Sequence, residues 1–253
     1  MSYELQKASI PKRIAAFLID LILLAILASG AAWVLTGIFG YDEYAATVEQ
    51  AYEQYGQAHG VNLMISQEEY NALTPEQQAK VDAGFADMNQ DQAAIDAFEI
   101  MQQLILINAS LSILLATVVV EIVFPLIFKN GQTVGKKVFS LSVIHRDGIQ
   151  INGVQLFTRS ILGKYAVELM IPVYALLALF FGIGIAIMIL LAMLVIVVQL
   201  GCLLVTRNNS AIHDLMSGTV VVDHSSQMIF KTPGDLINYQ KKVAAERASR
   251  QPY

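Results

Sequence analysis

The chain of 253 residues has little of the charge that keeps most proteins soluble. Only 15% of its residues are charged, whereas a soluble domain carries about 25%. A cytosolic enzyme, a disordered chain and a nucleic-acid-binding protein would each be more polar or more basic, so the composition argues against all three. The hydrophobic content of 55% instead predicts a membrane protein.

Cysteine and histidine are also scarce, with one and four copies respectively. A single cysteine excludes an intrachain disulfide and a four-cysteine zinc site. The histidines lack the spacing of a metal-binding helix, and Asp87, Asn89 and Asp91 lack the glycine and the closing glutamate of a calcium loop. We therefore expect no metal site and no cofactor.

Four apolar stretches are each long enough to cross a bilayer, which takes roughly 20 apolar residues. They cover residues 14–39, 104–128, 160–181 and 183–205. One helix over 169–205 would be roughly 55 Å long, so we expect Gly182 and Gly184 to break it into a hairpin. The first stretch exceeds the apolar core of a signal peptide, which is about 7–15 residues, and is expected to remain as a span.

The basic residues indicate the orientation of these spans. Segment 40–103 contains twelve acidic residues and one basic residue, Lys80. Every other lysine and arginine except Lys164 lies before the first span, between the second and third, or after the fourth. Four spans put those three segments on one side. We therefore expect both termini in the cytoplasm and the acidic segment outside.

The predicted fold is an all-α membrane protein with four transmembrane helices, a small cytoplasmic β-element and an extracytoplasmic helical loop. Its predicted parts are the N-terminal arm and first span (1–39), the acidic loop (40–103), the second span (104–128), a cytoplasmic β-hairpin segment (129–159), the third and fourth spans (160–205), a cytoplasmic His-Asp motif and strand (206–223) and a cytoplasmic tail (224–253).

Local patterns support the parts outside the bilayer. Thr74, Pro75 and Gln77 are typical of a helix start within the acidic loop. Alternating residues over 138–145, followed by the turn signal Asp147-Gly148, predict a hairpin that returns over 149–151. Residues 219–222 have strand character as well, and we expect these pieces to form one small sheet.

Charged side chains inside a bilayer are costly and are candidates for function. The helix rise places Asp20, Glu121 and Glu168 about 10–12 Å from the cytoplasmic boundary, with Gln199 at a similar depth. Each span therefore brings one polar side chain to the same level. These four residues are the predicted transport or ion-binding site.

Basic residues near this level supply counter-charges and leave two interpretations open. Arg13 shares a helical face with Asp20, and Lys164 is spaced to pair with Glu168, while Arg159 lies near the interface. Either the acids neutralise the bases and lock the helices together, or repulsion between carboxylates keeps a proton on one of them. The second arrangement allows a proton to exchange for a cation.

Several motifs in one order resemble a known family of membrane proteins. They are Ala8-Ser9-Ile10-Pro11-Lys12-Arg13-Ile14-Ala15-Ala16-Phe17-Leu18-Ile19-Asp20, Gly131-Gln132-Thr133-Val134-Gly135-Lys136-Lys137, the arginine at 159, and His213-Asp214-Leu215-Met216-Ser217-Gly218-Thr219-Val220-Val221-Val222. Together they are similar to the RDD family, which is named for one arginine and two aspartates. The resemblance covers about 1–39 and 104–223.

The resemblance implies that Arg13, Asp20 and Asp214 are the three name-giving residues. It also implies a transport function, with sodium/proton antiport proposed for some members, or the role of an accessory subunit in a membrane complex. We expect Asp214 on a short cytoplasmic helix capped by Ser210. There it would pair with Arg13 or Arg159 in a structural or gating role.

The sequence thus favours a secondary transporter that exchanges a cation for a proton through intramembrane carboxylates. The alternative is a non-catalytic scaffold or accessory subunit whose charged network only stabilises helix packing. The expected partners are membrane lipids and Na⁺ or H⁺, with no nucleic acid and no enzymatic activity. Four spans are few for a transporter, which suggests a homo-oligomer.

Overall fold

A computed structural model describes residues 5–181 and 184–250. Within these residues, four helices are long and apolar enough to cross a membrane, namely Ile10–Ile38, Gln92–Phe128, Gly153–Ala178 and Ala186–Val205. The architecture is therefore that of an all-α membrane protein, as the sequence predicted. The predicted break at Gly182 lies outside the described residues, but Gly184 precedes the fourth helix with a left-handed φ of 56°.

The described elements follow one another in this order: α1 (Ile10–Ile38), α2 (Tyr41–His59), α3 (Gln67–Ala72), α4 (Pro75–Met88), α5 (Gln92–Val118), α6 (Phe124–Phe128), α7 (Val134–Val138), β1 (Leu141–His145), α8 (Gly153–Phe157), α9 (Met170–Phe181), α10 (Ile185–Val205), α11 (Ile212–Ser217), β2 (Thr219–Asp223) and α12 (Pro233–Arg250). Two π-helical stretches complete the second and third spanning helices, Val119–Val123 between α5 and α6 and Thr158–Leu169 between α8 and α9. Such wide turns are uncommon and occur often at functional sites.

Three helix starts lie earlier than the apolar stretches predicted. The first helix begins at Ile10 instead of 14, the second at Gln92 instead of 104, and the third at Gly153 instead of 160. The reason is that apolarity marks only the part of a helix suited to lipid, while backbone hydrogen bonding continues through polar residues. The third helix starts where the Asn152 side chain accepts from the backbone N–H of Gln155.

The chain divides into two compact units. The loop unit, Gly30–Ser112, contains the acidic segment and is helical as predicted, with α2 packed against α4. Its helix at Pro75 starts as the sequence indicated, because Thr74 and Gln77 form a capping box. The main unit comprises Met1–Ser29 and Ile113–Tyr253 and contains the two-stranded sheet.

The sheet pairs β1 with β2 in antiparallel register, with Leu141 opposite Asp223 and His145 opposite Thr219. The predicted hairpin is only partly present. The turn forms, since the N–H of His145 donates to the carbonyl of Ile149 at 2.8 Å. The return segment forms no strand, only isolated bridges from Gln150 to Ile144 and from Ile149 to Phe230. The strand also starts later than predicted, because residues up to Val138 belong to α7.

Candidate functional site

A cavity of about 220 Å³ lies in the main unit and is lined by residues of all four spanning helices. Its lining includes the four predicted polar side chains, Asp20, Glu121, Glu168 and Gln199, together with Lys164. The rest of the wall is largely apolar and is supplied by Phe17, Leu21, Leu24, Thr117, Val120, Leu169, Pro172, Val195, Ile196 and Leu200. The structure thus gathers polar groups from four separate helices around one mainly apolar space.

A second, smaller cavity of about 60 Å³ shares Asp20, Lys164 and Phe17 with the first. Its lining adds the basic side chains of Arg13, Lys136 and Arg159 along with His213. Asp20 and Lys164 therefore border both an apolar space and a strongly basic one.

Asp214 joins two arginines and is completely buried. Its Oδ2 accepts from Arg13 at 2.7 Å, and its Oδ1 accepts from the guanidinium of Arg159, which is itself 2% exposed. The sequence offered either arginine as a partner, and the structure shows both. These pairs tie α11 to the first and third spanning helices.

The cap of α11 differs from the predicted one. The N-cap is Ala211, and Ser210 lies outside the helix. Asp214 performs the capping itself, because its Oδ2 accepts from the backbone N–H of Ala211 at 3.0 Å. Burial opposes the charged form, but Arg159 and Arg13 together hold the pKa of Asp214 well below its usual range.

Asp20 does not pair with Arg13, contrary to the sequence-based expectation. Its carboxylate accepts instead from the hydroxyl of Thr133 and from the backbone N–H of Gly135 at 2.8 Å. The seven-residue spacing that gives Arg13 and Asp20 a common face also separates them by about 10 Å along the helix. Thr133 and Gly135, at the start of α7, therefore bind Asp20 in place of Arg13.

Two lysines hold Glu121, and only one of them was a predicted site residue. Lys164 donates to Glu121, and the carboxylate of Glu168 is bound by His213 instead. Lys136 was missed, although the glycine-lysine motif contained it. Its Nζ lies 3.9 Å from Glu121 Oε2 and 3.7 Å from Asp20 Oδ2, so it bridges the two carboxylates.

Glu168 pairs with His213, a second residue that the sequence-based site omitted. Nδ1 of His213 lies 2.7 Å from Glu168 Oε1, and Nε2 lies 3.0 Å from a guanidinium nitrogen of Arg159. Since arginine only donates, Nε2 accepts and the ring proton is on Nδ1, facing Glu168. Gln199 completes this end of the cavity by accepting from the backbone N–H of Ile212 at 3.0 Å.

The site is electrically balanced when His213 is neutral. The acids are Asp20, Glu121, Glu168 and Asp214, and the lysine and arginine side chains of the network are Arg13, Lys136, Arg159 and Lys164. Adding a further positive charge to this network would therefore be electrostatically unfavourable unless another positive charge left it.

The RDD family model matches residues 7–218. The chain belongs to the RDD family. No curated protein and no solved structure matches this chain. The matched range contains every residue of the charged network, from Arg13 to Asp214. Of the three residues that the resemblance implied for the family's name, Arg13 and Asp214 form an ion pair in this RDD protein, while Asp20 borders both cavities.

The environment of His213 predicts how the stability of this RDD protein depends on pH. Burial and the adjacent Arg159 lower the pKa of His213 below 6.5, and the opposing Asp214 and Glu168 do not restore it. The unfolded chain therefore binds this proton more readily, and stability falls as the pH drops through about 6.5. We expect the melting temperature of the purified protein to decrease between about pH 7.5 and pH 5.5.

The matched variant is His213→Asn, which keeps a hydrogen-bond donor near Glu168 but cannot titrate. Its melting temperature should depend less on pH over the same interval. An equal dependence in the variant and the wild type would contradict a neutral, buried His213.

Proposed function

We propose that this RDD-family protein is a secondary transporter that exchanges a small cation such as Na⁺ for a proton at the bridge formed by Asp20, Lys136 and Glu121. The supporting observation is the position of the Lys136 ammonium, 3.7 Å from one carboxylate and 3.9 Å from the other. The hydroxyl of Thr133 lies 3.1 Å from the same Nζ. One positive charge thus occupies a space bounded by oxygen atoms.

The exchange step follows from this arrangement. When the ammonium of Lys136 releases its proton, it becomes a neutral amine, and the two carboxylates are left with one uncompensated charge. A cation of charge +1 restores the balance, and carboxylate and hydroxyl oxygens are the ligands that hard cations prefer. Rebinding of a proton to Lys136 expels the cation, so the two ions compete for one place.

The proton affinity of Lys136 suits this role. Burial lowers its pKa to about 8, although Glu121 and Asp20 favour the charged form. A group with this pKa is mostly protonated at neutral pH and still releases its proton when a cation competes for the site. The other lysine of the motif, Lys137, is exposed and lies over the ring of Phe128 at 3.9 Å.

The proposal includes an orientation and a route. Both termini are cytoplasmic and the acidic loop unit is outside, supported by the distribution of lysine and arginine. The twelve acids of segment 40–103 raise the local concentration of cations. Glu168 and Gln199 provide further polar groups on the wall of the larger cavity, where a cation on this route would bind. A homo-oligomer encloses the route that four spans leave incomplete.

Ion flux in proteoliposomes tests the proposal. A Na⁺ pulse should drive proton movement with the wild type, and Asp20→Asn, Glu121→Gln and Lys136→Gln should reduce it to the level of empty liposomes. Lys137→Gln is the matched control and should retain exchange, because this lysine contacts neither carboxylate. Normal exchange by well-folded Asp20→Asn and Glu121→Gln proteins would contradict the assignment.

A non-catalytic scaffold is the second candidate, and one observation favours it. Each acid of the network already has a basic or histidine partner, which is the arrangement that helix packing alone requires. If the network only holds helices together, folded wild-type protein should move no cation tested above the level of empty liposomes.

A further inference from the structure

The loop unit contains an aromatic cavity that is separate from the charged network. Its volume is about 380 Å³, within the range of about 300–1,000 Å³ typical of small-molecule sites. Tyr52 of α2, Phe85 of α4 and Phe98 of α5 each contribute a ring to its lining. The rings of Tyr52 and Phe85 meet edge to face with centroids 6.1 Å apart.

One side of this cavity consists of buried residues of the loop unit and another of an exposed ring. Val48, Ala51 and Ala94 of its lining are 8%, 6% and 6% exposed, whereas Phe98 is 41% exposed. Because the Phe98 ring remains exposed to solvent beside two other rings, it contributes little to the stability of the fold. It does provide a surface on which an apolar ligand can bind.

The charge around the cavity favours one class of ligand. Glu99 is part of its lining, and the loop unit, described without gaps from Gly30 to Ser112, contributes no lysine, arginine or histidine to that lining. The single lysine of the unit, Lys80, is occupied by Glu76 at 3.0 Å. Cations are therefore attracted to this unit and anions are repelled.

We propose that the cavity binds a hydrophobic organic cation of the aryl- or alkylammonium class. Its apolar body lies among the rings of Tyr52, Phe85 and Phe98, and its charge faces Glu99. Aromatic faces attract ammonium groups through their quadrupole. A bare metal ion does not fit the same walls, since the cavity offers one carboxylate, and no group of three or more metal-binding side chains occurs within residues 5–181 and 184–250.

Binding of two probes of similar shape and opposite charge to the full-length protein tests the ligand class. Isothermal titration calorimetry should show that benzyltrimethylammonium binds more tightly than benzylsulfonate by about tenfold or more, because the cavity combines rings with negative charge. Equal affinities, or no binding of the ammonium probe, would overturn the proposal.

Two variants locate the site, and a third is their control. Phe98→Ala and Glu99→Gln should each weaken ammonium binding by about 2- to 30-fold, and neither removes a buried residue. Glu68→Gln removes an acid of the same unit that lies outside the cavity, and should leave the affinity nearly unchanged. If all three variants bind alike, the cavity is not the site. The result does not depend on whether the main unit transports ions, because binding is measured directly.

Discussion

Replacing Asp214 with asparagine should lower the free energy of unfolding by about 3–5 kcal/mol, the cost of leaving a buried charge without its partner. The change preserves the shape of the side chain but removes the negative charge that Arg13 and Arg159 share. Arg159 is only 2% exposed, so water cannot replace the lost carboxylate. Denaturation of the purified protein in detergent measures the loss.

Asp223→Asn is the matched control because it breaks an ion pair of similar length in an exposed setting. Asp223 lies 2.7 Å from Lys12, and the two side chains are 20% and 46% exposed. Water screens such a pair, and its loss should cost about 1 kcal/mol or less. Equal losses from the two variants would mean that Asp214 does not hold a buried network together.

The contrast between Asp214 and Asp20 also bears on function. Asp214 is enclosed by two arginines and by the backbone at the start of its own helix. A cation therefore cannot reach this carboxylate unless α11 unfolds. Asp20 borders both cavities and contacts a lysine that can lose its proton. We therefore propose that the two interpretations of the charges apply to different residues, with the Asp214 cluster stabilising the fold and the Lys136 bridge as the place of exchange.

Some of this arrangement could be predicted because it depends on periodicity along single helices. The depths of Asp20, Glu121, Glu168 and Gln199 follow from the helix rise, and all four line one cavity. The helix start at Thr74 follows from local capping chemistry. Each of these features is determined within about twenty residues of sequence.

The partners of the charged residues could not be predicted in the same way. Whether Glu168 is bound by Lys164 or by another residue depends on His213, which lies 45 positions away in the sequence. Whether Asp20 binds Arg13 depends on α7, which is more than 110 positions away in the sequence. Spacing identifies the residues on one face, but a segment from elsewhere in the chain decides which of them pair.

Gly135→Ala should both destabilise the protein and abolish the proposed ion exchange. A methyl group at this position would overlap the carbonyl oxygen of Ala16 and lie 3.0 Å from the Asp20 carboxyl carbon. Backbone atoms cannot rotate away as side chains do, so α7 must shift away from α1. We expect a loss of about 1–3 kcal/mol in the free energy of unfolding, the usual cost of overpacking. This shift would also break the hydrogen bond from the backbone N–H of Gly135 to Asp20 and displace Lys136.

Gly201→Ala distinguishes this effect from the general consequence of adding a methyl group to a helix. Gly201 lies within α10, and a methyl group there meets nothing within 4 Å. Because alanine favours the helix by about 1 kcal/mol, this control should be as stable as the wild type or more so. It should also keep normal exchange in proteoliposomes. If Gly135→Ala retains both wild-type stability and exchange, α7 is not fixed against α1, and the proposed competition between Lys136 and a cation loses its geometric basis.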